Sequence, residues 1–297
     1  MPPWIRSIGA FALYPALFFG ALVAVSLARG APWALGIVLV GWAALVSILE
    51  RLYPVTPIWN QDHGDTRSDR IYLVTNLAVS QVAAYLVGLV AERTDMLALW
   101  PMTLPFALQV LFALVVVDVG LYAVHRVSHG VGWLWKLHAI HHFPRRIHWV
   151  NGQRRHVLHE LLEGSPGLLV LLVLGAKGPV VASALAMVSV HLLLQHANVR
   201  YRGGVLRHVF AVAELHRWHH QRQYAAVQGN FAAVFSVWDR LFGTCLPEGV
   251  APLEVGTDDE PTLHEGWREQ QLWPFRTGFA VPPPGEVMGA APRAAEP

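Results

Sequence analysis

Three short groups of histidines are the residues of this chain most suited to chemistry. They read His125-x3-His129, His138-x2-His141-His142 and His216-x2-His219-His220. Spacings of three and four residues place side chains on one face of a helix, so two or three imidazoles of each group can converge. Rings crowded in this way lose hydration unless a cation collects their lone pairs. The pattern therefore predicts a metal site held by imidazole nitrogen.

The number of histidines bears on how many ions are held. Two more, His191 and His196, lie between the second and third groups. A tetrahedral zinc site takes three or four ligands, so this surplus favours two ions that share one site. Imidazole binds zinc, copper, iron and nickel, so ligand type alone does not choose the metal. The single cysteine, Cys245, excludes a disulfide framework and any four-cysteine zinc or iron–sulfur site within this chain.

Two common histidine sites are disfavoured by the pattern. A zinc hydrolase would carry His-Glu-x-x-His, whereas His156-Val-Leu-His159-Glu160 has these residues in another order. A haem pair in membrane helices would need histidines in the middle of apolar runs. Here the histidine groups lie at or beyond the ends of such runs.

The elements that must position these groups are apolar helices. The chain of 297 residues is 54% hydrophobic and 14% charged, against about 25% charged residues in an average soluble protein. A helix needs roughly 20 apolar residues to cross a bilayer. Four runs lack charged residues over about that length, apart from Asp118 in the last; they are Ile8–Ala28, Pro32–Leu49, Ile71–Ala91 and Leu104–Val124. The first run lacks a small-x-small cleavage site, which disfavours a signal peptide.

We therefore expect an all-α integral membrane protein with about four transmembrane helices. A fifth apolar zone is broken at Gly175–Pro179 and is predicted to form a re-entrant hairpin over residues 166–196. The expected domains are a transmembrane stem (1–124), a histidine-bearing catalytic region (125–246) and a polar tail (247–297) that is disordered from Val281.

Basic residues in the short loops predict the orientation. Arg51, Arg67 and Arg70 follow the second run, and a richer basic segment, Lys136 to Arg155, follows the fourth. Because basic loops stay in the cytoplasm, both termini and the histidine groups are expected on the cytoplasmic face. The net charge is only +2, which gives no global indication of nucleic-acid binding.

With these residues in place, the chain resembles the fatty acid hydroxylase/sterol desaturase superfamily of membrane di-iron enzymes. The three histidine boxes carry the resemblance over roughly Glu50 to Thr244, together with flanking residues: Asp118, Tyr122, Trp133-Leu-Trp135, Gln195-His-Ala-Asn198, Asn230 and Trp238-Asp-Arg-Leu-Phe-Gly-Thr244. The resemblance implies a helical membrane stem with a cytosolic helical cap that holds two iron ions. It also implies oxidation of lipid C–H bonds by molecular oxygen, with electrons from a separate carrier.

The resemblance implies ten metal ligands: His125, His129, His138, His141, His142, His191, His196, His216, His219 and His220. His191 fits least well, because five residues separate it from His196 and a regular helix does not place this spacing on one face. Members of the family often carry His-Pro-x-Glu after the second box, and this chain has no proline there. We therefore expect His156 and His159 to line the site or to support its ligands.

Four polar residues are candidates for orienting the ligands. Asp118 lies in an apolar run, where an ionisable side chain is costly and more often functional, and it shares a helix face with His125. It could accept a ring N–H of a box histidine, or alternatively pair with Arg126. Asn198, Asn230 and Asp239 could likewise orient ligands, or cap helices.

Several functions remain open at this point. The substrate is expected to be a membrane lipid, which could be a fatty acyl chain, a sterol, a carotenoid or an aminolipid. Hydroxylation and desaturation would use the same site. A ferredoxin- or cytochrome-type donor with its reductase would supply electrons, and Lys136 to Arg155 could dock it or bind lipid phosphates instead. A histidine-rich metal transporter is the alternative from another class, but it would need polar residues along several spans, and only Asp118 fits.

Overall fold

Among the residues that the structure describes, ten α-helices form the bulk of the fold. The computed structural model describes residues 3–93, 97–222, 228–246, 254–257 and 263–276. The helices are α1 Pro3–Ala28, α2 Pro32–Leu52, α3 Thr66–Ala91, α4 Phe106–Gly130, α5 Gly132–His142, α6 Val157–Leu174, α7 Gly178–His196, α8 Ala213–His219, α9 Val237–Leu241 and α10 Trp267–Arg276. Over the described ranges no strand forms, which confirms the all-α prediction. The predicted disorder from Val281 lies outside the described residues.

Six helices, α1 to α4 with α6 and α7, are long and apolar enough to cross a membrane. The chain is therefore a multi-pass membrane protein. The prediction that the hairpin begins at Pro166 is wrong, because α6 begins at Val157 and runs for 18 residues. Pro166 has no N–H for the carbonyl of Leu162, and the Ser165 hydroxyl donates to that carbonyl instead at 3.1 Å. The helix continues through the proline, so the first hairpin arm is as long as a transmembrane helix.

Helices α4 and α7 form the centre of the bundle. α7 is buried along most of its length, and α4 packs against both α6 and α7. The crossing of α4 and α6 is unusually close, since a Cβ on Gly167 would lie 2.6 Å from the Cα of Val117, and a Cβ on Gly120 would lie 2.6 Å from the Gly167 nitrogen. Glycine at both positions lets the two backbones touch. This contact places α6 beside the last turns of α4, where two box histidines lie.

The C-terminal part of the chain covers the end of the bundle that carries the histidines. α10 packs on α3 and α5, where Tyr72, Trp135, Ile140 and Trp273 form a small apolar core. The fully buried side chain of Arg154 ties this layer to α3 by donating to Asp69, Gln270 and Glu265. The predicted polar tail thus contains a helix that seals the second histidine box.

The close helix crossing leads to a stability prediction. Gly167→Ala places a methyl group against the backbone of α4, which cannot move aside, so the free energy of unfolding should fall by about 1–3 kcal/mol. Gly164→Ala, on the same helix, is the matched control. No atom lies within 4 Å of its Cβ position, so better helix propensity should stabilise the protein by up to about 1 kcal/mol. Equal effects of the two variants, measured by unfolding in detergent, would contradict this packing.

Candidate metal centre

Nine of the ten predicted ligands converge in two buried clusters. Cluster A comprises His125, His129, His138, His142 and His219, and cluster B comprises His141, His196, His216 and His220. Within each cluster one nitrogen of every ring lies within 4.8 Å of the others. All nine side chains are 5% exposed or less. The arrangement matches the expectation of two neighbouring sites that could each hold an ion.

The second and third boxes each serve both clusters. In the second box, His138 and His142 belong to cluster A and His141 to cluster B. In the third box the assignment is reversed, so that His216 and His220 belong to cluster B and His219 to cluster A. The expectation that the three rings of one box converge on one side is therefore wrong. In each of these two boxes the first and last histidines, four residues apart, share a cluster. The middle histidine directly precedes the last one and belongs to the other cluster, because adjacent positions on a helix are rotated by about 100°.

Hydrogen bonding shows where lone pairs lie in cluster A. The Nδ1 atom of His125 donates to the carbonyl of Phe231 at 2.7 Å, and Nδ1 of His219 donates to the carbonyl of Gly229 at 2.9 Å. Each neutral ring then has a bare lone pair at Nε2. These two Nε2 atoms face each other at 2.9 Å. Two acceptors at this distance repel each other, and a cation between them would turn the repulsion into coordination.

Cluster B brings ring nitrogens equally close together. His196 donates from Nδ1 to the carbonyl of Leu192 at 3.1 Å, which leaves a lone pair at Nε2. That atom lies 3.2 Å from Nε2 of His141 and 2.9 Å from Nε2 of His216. Nδ1 of both His141 and His216 is buried without a hydrogen-bond partner. The crowded Nε2 atoms of these neutral rings are of the type that metal ions bind, so this cluster also fits a cation.

The distances between ring nitrogens bear on the geometry that an ion would adopt. The Nε2 pairs lie 2.9 to 3.2 Å apart. With a metal–nitrogen bond of about 2.1 Å, ligands at right angles are separated by about 3.0 Å and tetrahedral ligands by about 3.4 Å. The closest nitrogen pairs therefore lie near the right-angle separation. Burial lowers the pKa of His141 and His216, which keeps these imidazoles in the neutral form that metals bind.

His191 is the predicted ligand that the structure leaves out of both clusters. Its Nε2 atom donates to the carbonyl of Ala211 and its Nδ1 atom accepts from the Tyr14 hydroxyl, each at 3.2 Å. Both nitrogens are used, so His191 has no lone pair for an ion. No bulge brings it onto the face of His196, because α7 is a regular helix over these residues. Its place in the ligand set is corrected to a hydrogen-bonded core residue.

The pair His159 and Glu163 on α6 was missed as a ligand candidate. Both are buried, and with His138 they form a third group whose ligand atoms lie within 4.8 Å of one another. The Ser128 hydroxyl donates to the Val124 carbonyl and so accepts from Nε2 of His159 at 2.9 Å. Nδ1 of His159 then faces Glu163 Oε2 at 3.7 Å. The spacing of four residues in His159-x3-Glu163 was the signal in the sequence.

His156 behaves differently from His159. It caps α6, since its Nδ1 atom accepts from the backbone N–H of Leu158 at 3.1 Å. Its Nε2 atom donates to the carbonyl of Gln271 in α10 at 3.0 Å. The expectation that both residues line the site is therefore corrected for His156, which joins α6 to α10.

Asp118 is fully buried but touches no histidine. Its carboxylate accepts from the backbone N–H groups of Val234 and Phe235 at 2.7 and 2.8 Å, and from the Trp238 indole at 2.8 Å. Arg126 donates to the Tyr122 hydroxyl instead of pairing with this acid. Both predictions for Asp118 are thus wrong. The acid holds the segment that follows the third box against α4.

Asn230 and Asp239 orient two histidines of cluster A through the backbone. Asp239 accepts from the N–H groups of Phe231 and Ala232 at 2.8 and 3.0 Å. Asn230 adopts a left-handed φ of 56° and donates to the carbonyl of Leu215 at 2.9 Å. Together they fix the turn whose carbonyls accept from His125 and His219. This is the orienting role expected for a residue next to a metal ligand.

Asn198 has a structural role at the end of α7. Its side chain donates to the carbonyl of Thr56 and to Asn60, each at 3.0 Å, and accepts from the N–H of Thr56 at 3.0 Å. Its own N–H donates to Glu50 at 2.9 Å. These bonds clamp α7 to the loop after α2. Asn198 therefore positions the helix that carries His196 and does not contact a ring.

Most basic side chains of the predicted docking segment, Lys136 to Arg155, are buried or paired with acids. Lys136 is buried under the ring of Trp273. Arg146 pairs with Asp65 at 2.7 Å, and Arg155 lies 3.2 Å from Glu163. Arg154 is also buried in its network with Asp69, so exposed Arg145 is the cation of this segment best placed to meet an acidic partner or lipid phosphates.

The two histidines of α7 provide a test of the ligand set. His196→Gln removes a lone pair from cluster B, so metal content should fall from about two ions per chain to about one. His191→Gln removes hydrogen bonds but no free lone pair, so this variant should keep both ions. Metal analysis of the purified variants distinguishes the two. Equal losses would contradict the exclusion of His191.

The two acids of α6 provide a second test. Glu163→Gln removes the charge that faces His159, and we expect metal affinity to fall by about 10- to 100-fold, as for other supporting residues of metal sites. Glu160 pairs with the same arginine, Arg155, at 3.3 Å. It is absent from the three clusters found among the described residues. Glu160→Gln should therefore leave affinity within about twofold of the original. Similar losses in a competitive metal titration would assign the effect to Arg155 and contradict a role for Glu163.

Comparison with known proteins agrees with this centre. The profile of the fatty acid hydroxylase family matches residues 110–244. The ornithine lipid hydroxylase OlsE of Rhizobium tropici is 32% identical over 268 residues, which cover 86% of this chain and 79% of the relative. Alkylglycerol monooxygenases of Danio rerio and Homo sapiens are each 30% identical over 44% and 43% of this chain, but over only 29% and 28% of their own lengths. No solved structure matches the chain.

The family match begins in α4 and ends just after α9, so it contains all three histidine boxes and both clusters. The match to the ornithine lipid hydroxylase extends the similarity over most of both chains. The chain belongs to the fatty acid hydroxylase superfamily.

Proposed function

We propose that this protein hydroxylates a membrane lipid at an unactivated C–H bond, with two iron ions held by clusters A and B. The observation that carries the proposal is the set of buried imidazole Nε2 atoms that lie 2.9 to 3.2 Å from one another. These closest separations are compatible with six-coordinate iron. The hydroxylase and monooxygenase activities in the names of its relatives support the reaction class.

Iron in both clusters would supply the oxidation of the C–H bond by molecular oxygen, which no amino-acid side chain can perform. The overall reaction consumes the substrate, O2, two electrons and two protons, and yields the hydroxylated lipid and water. The protein contributes neutral imidazoles, which leave the charge of two cations largely uncompensated, unlike the carboxylate-rich sites of soluble di-iron bundles. The buried position keeps bulk water from the centre.

Three rings are held by bonds to the backbone, which aims their lone pairs before any ion binds. These rings are His125, His196 and His219, and each donates from Nδ1 to a carbonyl. The donation fixes the tautomer with Nε2 free. The protein thus determines which nitrogens face the centre.

An ornithine-containing lipid is the first substrate to test, because the relative matched over most of its length is named for that lipid. Fatty acyl chains, sterols and carotenoids are the other candidates, and desaturation is the alternative reaction of the same site. A ferredoxin- or cytochrome-type carrier with its reductase would deliver the electrons. We place the metal centre on the cytoplasmic face, in accordance with the basic loops after α2 and α4.

The experiment compares lipid extracts from cells that express the protein or the His142→Ala variant, grown with ornithine lipid under 18O2. The account predicts an ornithine lipid that gains one 18O atom only with the intact protein. A lipid that loses two hydrogens without gaining oxygen would establish desaturation instead. Activity that persists in the variant, or in protein that holds zinc alone, would contradict the proposed centre.

A further inference from the structure

Two short segments after α7 expose large apolar side chains outside the long apolar helices. Val205 and Val209 lie in the first, with 80% and 41% of their surface exposed. Val237, Leu241 and Phe242 lie on or just after α9, with 40%, 67% and 52% exposed. We call these five residues the apolar rim. The two segments touch, since the Ser236 hydroxyl donates to the carbonyl of Arg207 at 2.7 Å.

The segment that contains α9 lies against the membrane part of α4. Val234 and Phe235 donate to Asp118, and the ring of Phe242 stacks on Tyr122 at 5.5 Å. Asp118 precedes His125 by seven residues, which is about 10 Å along the helix toward the apolar middle of α4. The rim residues of α9 are thus held beside the last membrane turns of α4.

The other segment lies against α1 in the same way. The N–H of Arg202 donates to the carbonyl of Ala10 at 3.0 Å, and the ring of Phe210 lies 4.6 Å from that of Phe18. Both α1 residues belong to the apolar span Gly9–Ala28. Residues 202–210 therefore run along the first turns of a helix that is apolar enough to cross the membrane.

Irregular backbone at bilayer depth must satisfy its polar groups within the protein. Asp118 and Asp239 do this here. Between them they accept from four consecutive or nearly consecutive backbone N–H groups: Phe231, Ala232, Val234 and Phe235. A water-exposed loop would not need two buried carboxylates for this purpose. The presence of an acid inside an apolar helix is explained by the loop that it supports.

Three arginines surround the apolar rim. Arg126, Arg202 and Arg240 are all exposed. The guanidinium group of Arg126 lies 5.9 Å from the ring centre of Phe242, and that of Arg202 lies 5.8 Å from that of Phe11. An apolar face with a fringe of arginines is typical of elements that lie in the bilayer interface, where cations reach the phosphates.

We propose that the apolar rim is immersed in the phospholipid leaflet, with its side chains among the upper acyl chains and the three arginines at the level of the lipid phosphates. The surface is continuous with the lipid-facing sides of α1 and α4. Besides α6 and α7, the parts of the chain that enter the leaflet from the metal-bearing face are thus residues 202–210 and 231–242. This inference is independent of the proposed catalytic reaction.

Site-directed spin labelling measures the depth directly. In a Cys245→Ser background, cysteine replaces Leu241 or Val205, and the labelled protein is placed in vesicles of phosphatidylcholine and phosphatidylglycerol. Power saturation compares access to O2, which enriches in acyl chains, with access to a water-soluble nickel chelate. Val82, 58% exposed on α3, gives the lipid reference, and exposed His63 gives the water reference.

We expect the ratio of O2 to nickel access at Leu241 and Val205 to lie within about twofold of the Val82 value. A ratio that equals the His63 value would overturn immersion. All labelled positions are exposed, so none of these substitutions removes core packing. Circular dichroism and metal content of the labelled proteins verify that the fold is retained.

The arginine fringe is tested separately with spin-labelled lipids. Arg202→Gln combined with Arg240→Gln should reduce association of labelled phosphatidylglycerol by about threefold, while phosphatidylcholine association stays unchanged. Arg93→Gln, exposed after the far end of α3, is the control and should change neither lipid. Unchanged phosphatidylglycerol binding in the double variant would contradict the placement of the arginines at the phosphates.

Discussion

The lone pairs of buried imidazoles are the constraint on which this structure depends. His125 and His219 each donate their one ring N–H to a backbone carbonyl. Their Nε2 atoms are therefore both acceptors, and they lie 2.9 Å apart. His196 repeats the pattern in cluster B. Such a centre is unfavourable without cations, which means that ion binding and the stability of this end of the bundle are coupled. The helices around it must hold repelling groups together until ions bind.

Carboxylates that accept no hydrogen bond from a clustered histidine hold the surrounding backbone in place. Asp118 and Asp239 fix residues 231–235, and those residues present the carbonyl of Phe231 to His125. The same bonds satisfy the backbone of a segment that lies beside two apolar helices. One set of interactions therefore serves both the metal centre and the contact with the membrane, which explains why an acid is retained inside α4.

Much of the site could be predicted from the sequence because histidine spacing is a local property. The boxes identified eight of the nine converging histidines and His196 supplied the ninth, and the apolar runs located the first four long helices. The incorrect predictions concern residues whose roles depend on tertiary contacts. The hydrogen bonds of His191 to Tyr14 and Ala211, and those of Asp118 to residues 234–238, join parts of the chain far apart in sequence. The helix through Pro166 depends on one serine hydroxyl, and composition does not reveal that bond.

X-ray absorption at the K-edge of the bound metal tests the central claim most directly. The account predicts a first shell dominated by nitrogen at about 2.1 Å, with the outer-shell scattering of four or more imidazoles per ion on average. A shell dominated by oxygen, or one that requires fewer than two imidazoles per ion, would contradict a dinuclear centre built from the two histidine clusters.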